Sequence, residues 1–590
     1  MKKNYIIITL VFAVFCVTLK AANTDEIMKA MRDEINRSMN ELHLESLQKP
    51  YYIEYTLKIY DSYHITSALG TITNSANDKK AELNVNFRVG DYSFDNTNFF
   101  DISLGLFGST DEEENFKNRP VPYEIDYKSL RRELWLASDA AYKQASEILS
   151  KKIATLKNKT RKDSTSDFIK LAPEKNYDTI SIPSFNVNKF EELCRNVSSK
   201  FNTFKNLQIS YVGLEYIPET VYYANSEGRE FIKTNLYSGI EIIAATQADD
   251  GMPLYDMYSA YSKSPYELPR EDSLMRAAFA IAENLTLLEK SPILEETYSG
   301  PVLFEDNAAA ELFAQVFAPN LVLQRSPMTE SGVQESDRYT AFQNKLGGRV
   351  LPEFLSVNAE PNKTYFDKTP LLGSFKIDDE GVLAQPVNLV KDGYLKNLLS
   401  SRIPSKRVHT SNGHKRGGAA MLSVIEMSSD KKHSKSHTEL INQMLKLCKD
   451  RELPFGIIVK KAANQNIFYT TLQRIAPTHI NMNFNPLAFN LIQVYKVYNN
   501  GKEELVRGCD ANSFTAQSFK DILNVGNKSY VLNLLAPSIT SPYITGGELY
   551  VGSSVISPSL LFEDGEIKVR DDDFPNKPYL PNPLTEIKSK

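Results

Sequence analysis

The periodicity of the chain changes once, at a cluster of helix-breaking residues between Lys290 and Pro301. Before this cluster, long segments with apolar residues at helical spacing alternate with segments rich in aromatic and β-branched residues. After it, most segments are short and end at Gly, Pro or Asn. A chain of 590 residues also exceeds the roughly 250–300 residues at which one hydrophobic core stops growing. The sequence therefore predicts an α+β fold of two domains, residues 23–290 and 291–590.

The first predicted domain is α+β and combines an antiparallel sheet with one long helix and two shorter ones. Runs that are typical of strands cover residues 51–59, 64–73, 81–89, 207–216, 220–224 and 239–246. Apolar residues at steps of three and four predict a helix from Ser129 to about Lys157. The same spacing predicts helices at 187–201 and 270–289. The polar stretch at about 158–177 is typical of a solvated linker.

The second predicted domain is mostly β. A short strand at residues 302–304 leads into an alanine-rich helix from Asn307 to Phe317. Four apolar residues share one face of this helix and are expected in the core, namely Leu312, Phe313, Val316 and Phe317. A further helix is predicted from Thr438 to Lys449 with Ser436 as its N-cap, and another near residues 516–523.

The first 22 residues have the pattern of a secretory signal peptide. Two lysines precede an apolar run at residues 5–19, and the small residues Ala21 and Ala22 follow it. A membrane anchor would need about 20 apolar residues, which this run lacks. A lipid on Cys16 is a second alternative, but the bulky Phe15 fits a lipid-attachment site poorly. We therefore expect an exported, periplasmic or secreted protein with no integral membrane segment.

Charge and cysteine content exclude several classes of protein. With 68 basic and 73 acidic residues the net charge is −5, so the chain has no basic field for nucleic acid, and nucleic acid is not an expected partner. Cys194, Cys448 and Cys509 are too few for a disulfide framework, and the first two lie in helical patterns as core residues. The glycine patterns of serine hydrolases, phosphate loops and dinucleotide sites are absent from the sequence.

Seven short segments, taken in order, carry a resemblance to a known family. They are residues 222–228, 247–253, 299–305, 309–313, 378–382, 411–414 and 557–563. Each segment alone is a weak signal, but their common order is specific. Together they resemble the TldD/PmbA family of zinc peptidases, and the likeness covers nearly the whole chain after residue 22.

The resemblance implies a zinc site on the helix after the short strand, together with a cysteine near the C-terminus. Active members of the family carry a histidine-glutamate pair, three spacer residues and a second histidine there, and the glutamate accepts a proton from the zinc-bound water. In this chain the two histidine positions fall at Ala310 and Gln315, the glutamate at Glu311 and the cysteine near Pro542. The zinc motif is therefore expected to be degenerate, with no zinc in the lone chain.

Glu311 has two possible interpretations. It occupies the general-base position of the family, so it is the one candidate catalytic residue that the resemblance transfers to this chain. The alternative is a polar residue on the exposed side of a helix whose other face is in the core.

The remaining histidines are candidates of a weaker kind. His433 and His437 are four residues apart, but three lysines surround them, which favours a solvated loop over a metal site. His409 and His414 lie in or beside a glycine-bearing segment that is typical of a loop near a binding groove. We therefore take His409 and His414 as candidate substrate-binding residues.

Three functional hypotheses follow, and the question of enzymatic activity stays open among them. The first is a non-catalytic subunit that binds extended polypeptide and works with a TldD-like, zinc-bearing relative or as a homodimer. The second is an active metallopeptidase with a rebuilt metal site that uses His409, His414 and acidic neighbours. The third is a stand-alone exported binding protein.

Overall fold

The computed structural model describes residues 23–44, 47–100, 118–157, 164–325, 327–329, 341–464, 489–537, 550–570, 574, 576–580 and 582–585. The predicted signal peptide with Cys16, the first part of the predicted linker at 158–163, and Pro542 lie outside the described residues. In the described part, no helix is long and apolar enough to cross a bilayer.

The α-helices of the described residues are α1 (Asn23–Glu41), α2 (Tyr127–Lys157), α3 (Val187–Ser198), α4 (Glu271–Lys290), α5 (Asp306–Leu312) and α6 (His437–Asp450). The strands up to the end of α4 are β1 (Pro50–Ala68), β2 (Thr71–Val89), β3 (Phe99–Phe100), β4 (Arg119–Val121), β5 (Lys175–Asp178), β6 (Ile209–Asn225), β7 (Glu230–Gln247) and β8 (Pro253–Ser262). The strands after α4 are β9 (Tyr298–Phe304), β10 (Met328–Thr329), β11 (Leu355–Ala359), β12 (Tyr365–Phe366), β13 (Thr369–Pro370), β14 (Val387–Lys391), β15 (Tyr394–Leu395), β16 (Lys415–Arg416), β17 (Ala419–Ala420), β18 (Val424–Ser429), β19 (Ser434–Lys435), β20 (Phe455–Asn464), β21 (Phe489–Tyr498), β22 (Glu503–Val506), β23 (Cys509–Asp510), β24 (Ile522–Pro537) and β25 (Tyr550–Val569).

The N-terminal sheet has the strand order β4-β2-β1-β6-β7-β5, and β8 also pairs with β7. Its pairs are antiparallel except for β5 with β7, which confirms the predicted antiparallel sheet. The run predicted at 64–73 is not a separate strand. It spans the turn at Leu69 and Gly70, whose positive φ angles of 50° and 82° allow β1 to reverse into β2.

The two strands predicted at 207–216 and 220–224 form the single strand β6. The interval between the two predicted runs contains Pro218, and proline cannot donate a ladder hydrogen bond. In the structure Pro218 is opposite Leu236 of β7, and the pairing of β6 with β1 skips this position, passing from Glu219 to Tyr216. The missing donor therefore falls at an interruption of the ladder.

Helices cover one face of the N-terminal sheet. The predicted long helix is confirmed as α2, which buries Leu130, Leu134 and Ala137 with α1 against Leu57 and its neighbours. The helices α3 and α4 pack against a second patch of the same sheet that includes Ile242. Side chains alternate between the two faces of a strand, so the next residue, Ile243, points to the opposite face, where it packs against Ala463 and Ile492 of the C-terminal part.

The C-terminal part is rich in strands, as predicted. Its largest sheet has the order β15-β14-β11-β18-β25-β23-β21-β20-β9, and a further pairing of β25 with β9 closes the last five strands into a small barrel. The helix α5 packs against this sheet, and the core positions predicted on it are confirmed. Leu312, Phe313 and Phe317 are fully buried, and Val316 is partly buried against the same cluster.

The predicted helix near residues 516–523 is wrong. The structure has one 3₁₀ turn at Ser518–Asp521, after which Ile522 begins β24. Phe519 is fully buried, so this turn anchors one aromatic ring and the chain then enters the sheet. The other predicted helix is confirmed as α6, whose N-terminus carries a capping box between Ser436 and Glu439.

Candidate functional site

The helix α5 begins where β9 ends, and its first residues are tied to two strands. The backbone N–H of Asp306 donates to the Ser559 hydroxyl of β25 at 3.1 Å. The Asn307 side chain accepts a hydrogen bond from the backbone N–H of Ala462 in β20 at 3.2 Å. These contacts fix the direction of α5 relative to the barrel.

The two positions at which the resemblance puts histidines are held in the interior. Ala310 is fully buried among apolar side chains of the C-terminal core. Gln315 is only 9% exposed and lies in a π-helical turn, Phe313–Phe317, which continues α5. The Nε2 atom of Gln315 donates a hydrogen bond to Oε2 of Glu311 at 2.5 Å. The amide is therefore oriented with its donor, and not its oxygen, toward the carboxylate.

Glu311 does not lie on an exposed face of the helix, so one of its two interpretations is corrected. Its side chain is partly buried at the edge of the core. Burial raises the pKa of Glu311 to about 7, and the hydrogen bond from Gln315 opposes that shift. The carboxyl group can therefore exchange a proton near neutral pH, as a general acid or base requires.

One tyrosine, Tyr530, interacts with Glu311. Tyr530 of β24 is 37% exposed, and the Asn307 side chain hydrogen-bonds to its hydroxyl. Burial first, then Tyr258 of β8 and the carboxylates of Glu311 and Asp306, raise the pKa of Tyr530 to about 12. The site thus combines the Glu311 carboxyl group with the Tyr530 phenol, where β24 contacts β8 of the N-terminal sheet.

The sequence pattern alone does not distinguish Tyr258 and Tyr530 from the other tyrosines. Both belong to strands in which aromatic residues are common, and the chain has 31 tyrosines. Only the tertiary packing of β24 against α5 and β8 distinguishes Tyr258 and Tyr530 from the rest.

The residues at this site do not fit a zinc ion. A methyl group at Ala310 cannot donate an electron pair, and the Gln315 nitrogen is committed to Glu311. Pro542, the predicted position of the third ligand, lies outside the described residues. Across the part of the chain that the structure describes, no three His, Cys, Asp or Glu side chains converge as a metal-binding group.

The structure separates the two candidate substrate-binding histidines. His409 is exposed, whereas His414 is fully buried. The Nδ1 atom of His414 contacts two oxygens of Asn412 at 3.0 and 3.1 Å, and its Nε2 atom lies 3.2 Å from the Ser423 hydroxyl. Burial lowers the pKa of His414 to about 4, so the ring is neutral at pH 7. These contacts make His414 part of the C-terminal core.

His433 and His437 have different partners. The ring of His433 stacks on Phe354 at 4.1 Å, and its Nδ1 atom lies 2.8 Å from Asp430. The Nε2 atom of His437 lies 2.6 Å from Glu305, the residue before α5. Each histidine is therefore paired with a separate carboxylate, and the two rings do not share a ligand.

Comparisons with known proteins identify the C-terminal part and the fold. Residues 297–568 match the family model described as the PmbA/TldA metallopeptidase C-terminal domain. A metalloprotease of Archaeoglobus fulgidus is 28% identical over 111 residues, which are 19% of this chain and 24% of that protein. The match thus spans about a quarter of the length of that relative.

Three solved structures share the fold over most of their length. A proposed modulator of a DNA gyrase from Thermotoga maritima is 13% identical with a TM-score of 0.54, covering 91% of this chain and 99% of the other. TldE from Thermococcus kodakarensis is 12% identical with a TM-score of 0.52, covering 91% and 100%. A proposed modulator of DNA gyrase from Bacteroides thetaiotaomicron is 12% identical with a TM-score of 0.55, covering 92% and 99%. Over residues 297–568, just under half of its length, the chain is similar to the PmbA/TldA metallopeptidase C-terminal domain, and over most of its length it shares the fold of the three solved structures.

Proposed function

We propose that this chain is a non-catalytic, exported member of the PmbA/TldD family that binds extended polypeptide and assists a zinc-bearing relative in proteolysis. The proposal rests on the residues of α5 and of the π-helical turn that continues it, Phe313–Phe317. Ala310 and Gln315 stand where the family resemblance puts two imidazole ligands, and Gln315 directs its N–H group at Glu311. Without imidazole or thiolate donors, the site has no means of holding a zinc-bound water.

The surroundings of Glu311 support binding of a polypeptide. Tyr530 supplies an aromatic face and a hydroxyl group beside the Glu311 carboxyl group, and Tyr258 of the neighbouring strand β8 interacts with Tyr530. Among the described strands, only β7 pairs with β8, so β8 is an edge strand at this junction. An extended peptide can hydrogen-bond to such an edge while its side chains contact the tyrosines.

The proposal requires a partner that supplies the metal. The fold is shared with a protein named TldE, which supports a role as one subunit of a two-chain assembly. A zinc-bearing TldD-like relative would perform the hydrolysis, and this chain would hold the polypeptide. A homodimer is the alternative assembly, and it would lack the zinc site in both copies.

Export is part of the same proposal, and the pattern of residues 1–22 supports it. Cleavage after the small residues would give a mature chain that starts at about Ala22 or Asn23. Intact-mass measurement of the protein from the producing cells tests this directly. A mass equal to that of all 590 residues, or one that includes a lipid on Cys16, would contradict cleavage.

An activity assay tests the functional proposal itself. The lone chain should not cleave an unstructured polypeptide such as reduced, alkylated casein. Adding the zinc-bearing relative should produce cleavage that a chelator abolishes, and Glu311→Gln in this chain should leave the cleavage rate unchanged. Chelator-sensitive cleavage by the lone chain, lost in Glu311→Gln, would instead support the hypothesis of an active peptidase with a rebuilt site. Binding of casein without any effect of the relative would favour a stand-alone binding protein.

A further inference from the structure

The two parts of the molecule also meet around Arg402, whose guanidinium group is completely buried. Arg402 belongs to the C-terminal part, and it donates to both carboxylate oxygens of Glu227 in the turn between β6 and β7, at 2.7 and 2.8 Å. It also donates to the Tyr52 hydroxyl of β1 at 3.1 Å. A buried guanidinium needs such partners because an unpaired buried charge is strongly unfavourable. The pairing therefore fixes β1 and β6 against the C-terminal part.

A second set of ion pairs extends this interface. Glu380 accepts a hydrogen bond from the backbone N–H of Arg402 at 2.9 Å and lies 3.1 Å from the Lys415 ammonium. The ammonium of Lys233 in β7 lies 2.8 Å from Asp379. Two of the segments that carry the family resemblance, 222–228 and 378–382, thus meet here and not at α5.

A segment between these elements is held from both sides. We call residues 165–171 the clamp segment. They fall within the stretch that the sequence predicted to be a solvated linker, but Asp167 and Phe168 are only 1% and 2% exposed. The Phe168 ring lies between two guanidinium groups, at 3.6 Å from Arg88 of β2 and 3.9 Å from Arg402. This arrangement is a double cation–π contact that joins the two parts of the chain.

Asp167 makes a parallel connection. Its carboxylate lies 2.6 Å from the ammonium of Lys152 in α2, and 3.3 Å from the guanidinium of Arg325 in the C-terminal part. Arg325 also donates to the backbone oxygens of Thr165 and Ser166. The clamp segment is therefore bound by cations from the N-terminal part, Arg88 and Lys152, and by cations from the C-terminal part, Arg325 and Arg402.

We propose that the clamp segment locks the N-terminal sheet and the C-terminal part into one rigid unit, with Phe168 as the central contact. The Phe168 ring keeps Arg88 and Arg402 apart while it attracts both, so it connects two groups of equal charge that would otherwise repel each other. The position of β8 relative to β24 is then fixed by the contacts around Arg402, and the two parts do not move about a hinge.

The test is a distance measurement between the two parts of the full chain. Nitroxide labels are attached to cysteines introduced at Arg132 in α2 and Lys391 in β14, both exposed positions. Cys194, Cys448 and Cys509 are buried and should not react. Pulsed dipolar spectroscopy should give one narrow distance distribution in the parent. Phe168→Ala should at least double its width, and Phe168→Leu, which keeps most of the volume but loses the π face, should give an intermediate width.

A matched control separates this effect from ordinary loss of core packing. Phe313→Ala removes another fully buried ring that lies within the C-terminal core, and it should leave the distance distribution narrow. An unchanged width in folded Phe168→Ala would overturn the proposal, and so would equal broadening in Phe313→Ala. If Phe168→Ala does not fold, Phe168→Leu and Arg325→Gln carry the test. A parent-like width in both of them would overturn the proposal as well.

Discussion

Two regions of this molecule differ in the partners that they give to carboxyl groups shielded from solvent. Around Arg402, Glu227 and Asp167 each face at least one cation within 3.3 Å. At α5, Glu311 is partly buried, but its hydrogen-bond partner is the neutral Gln315. Burial therefore raises the pKa of Glu311 to about 7. The first region stabilises the fold, whereas the second holds a carboxyl group at a cost in stability.

The difference bears on the origin of the α5 site. A carboxyl group beside a metal would have its charge compensated by that ion. The family resemblance puts the ligand positions at Ala310 and Gln315, and among the described residues no cation lowers the pKa of Glu311. Under the proposed function, Glu311 is the residue that remains of a site without its metal.

The largest effect is expected from Arg402→Ala. The change leaves the buried Glu227 carboxylate without its guanidinium partner, and breaking a buried ion pair costs about 3–5 kcal/mol. Urea unfolding should show a loss of this size. Arg407→Ala is the control, since Arg407 is exposed and donates to one backbone oxygen, and its effect should be below about 0.5 kcal/mol. Similar small losses in both variants would mean that the Arg402 interface contributes no more than a surface contact.

His414 is a further buried titratable group, and none of its hydrogen-bond partners is charged. Burial lowers the pKa of His414 to about 4, whereas an unfolded histidine titrates near 6.5. Below pH 6.5 the unfolded state therefore binds a proton that the folded state does not, and stability falls as the pH drops toward 4. The loss should approach about 3 kcal/mol. Between pH 7 and 4.5, the free energy of unfolding should fall more in the parent than in His414→Gln, by about this amount. Parallel pH profiles of the two proteins would contradict the burial of His414.

Glu311 should give a smaller pH dependence of the opposite sign. Its folded pKa is above the unfolded value near 4.5, so the folded state retains a proton that the unfolded state has released. Stability should therefore fall as the pH rises from 4.5 through 7, by about 2 kcal/mol after allowance for partial exposure. Glu311→Gln should remove this fall, and the variant should be more stable than the parent at pH 8. A parent that is more stable at pH 8 than Glu311→Gln would show that a cation compensates the carboxylate.

The smallest effect concerns binding and rests on the proposed function. Tyr530→Phe removes one hydroxyl group beside Glu311, which should weaken binding of an unstructured polypeptide by about fivefold, or about 1 kcal/mol. Tyr365→Phe removes a hydroxyl from a residue that is 52% exposed and should leave the affinity unchanged. Isothermal calorimetry on both variants compares them directly. Equal affinities would place the polypeptide elsewhere on the molecule.

The sequence predicted the elements whose formation depends on local periodicity. Apolar spacing was sufficient to predict the helices α2, α4 and α6 and the core face of α5. Each of these patterns is contained within its own segment. The helix expected near 516–523 failed because a single buried ring, Phe519, follows the helical spacing without a helix. Local spacing cannot distinguish these two cases.

The site and the clamp segment depend on contacts between distant residues. The polar stretch that contains Asp167 is typical of a solvated segment when only the sequence is considered. The fold buries Asp167 because it places Lys152 and Arg325 next to its carboxylate. The positions of Ala310, Glu311 and Gln315 followed from the family resemblance. The partial burial of Glu311 and its proximity to Tyr530 did not, because they depend on where β24 lies relative to α5.

The central claim is that α5 does not hold a metal, and native mass spectrometry of the mature chain tests it most directly. The protein is purified without chelator, incubated with one equivalent of zinc, exchanged into volatile buffer and weighed with and without a chelator. We expect the mass of the zinc-free chain under both conditions, with the same result for Glu311→Gln. A stoichiometric zinc ion in the parent, removed by chelator and absent from Glu311→Gln, would contradict the account.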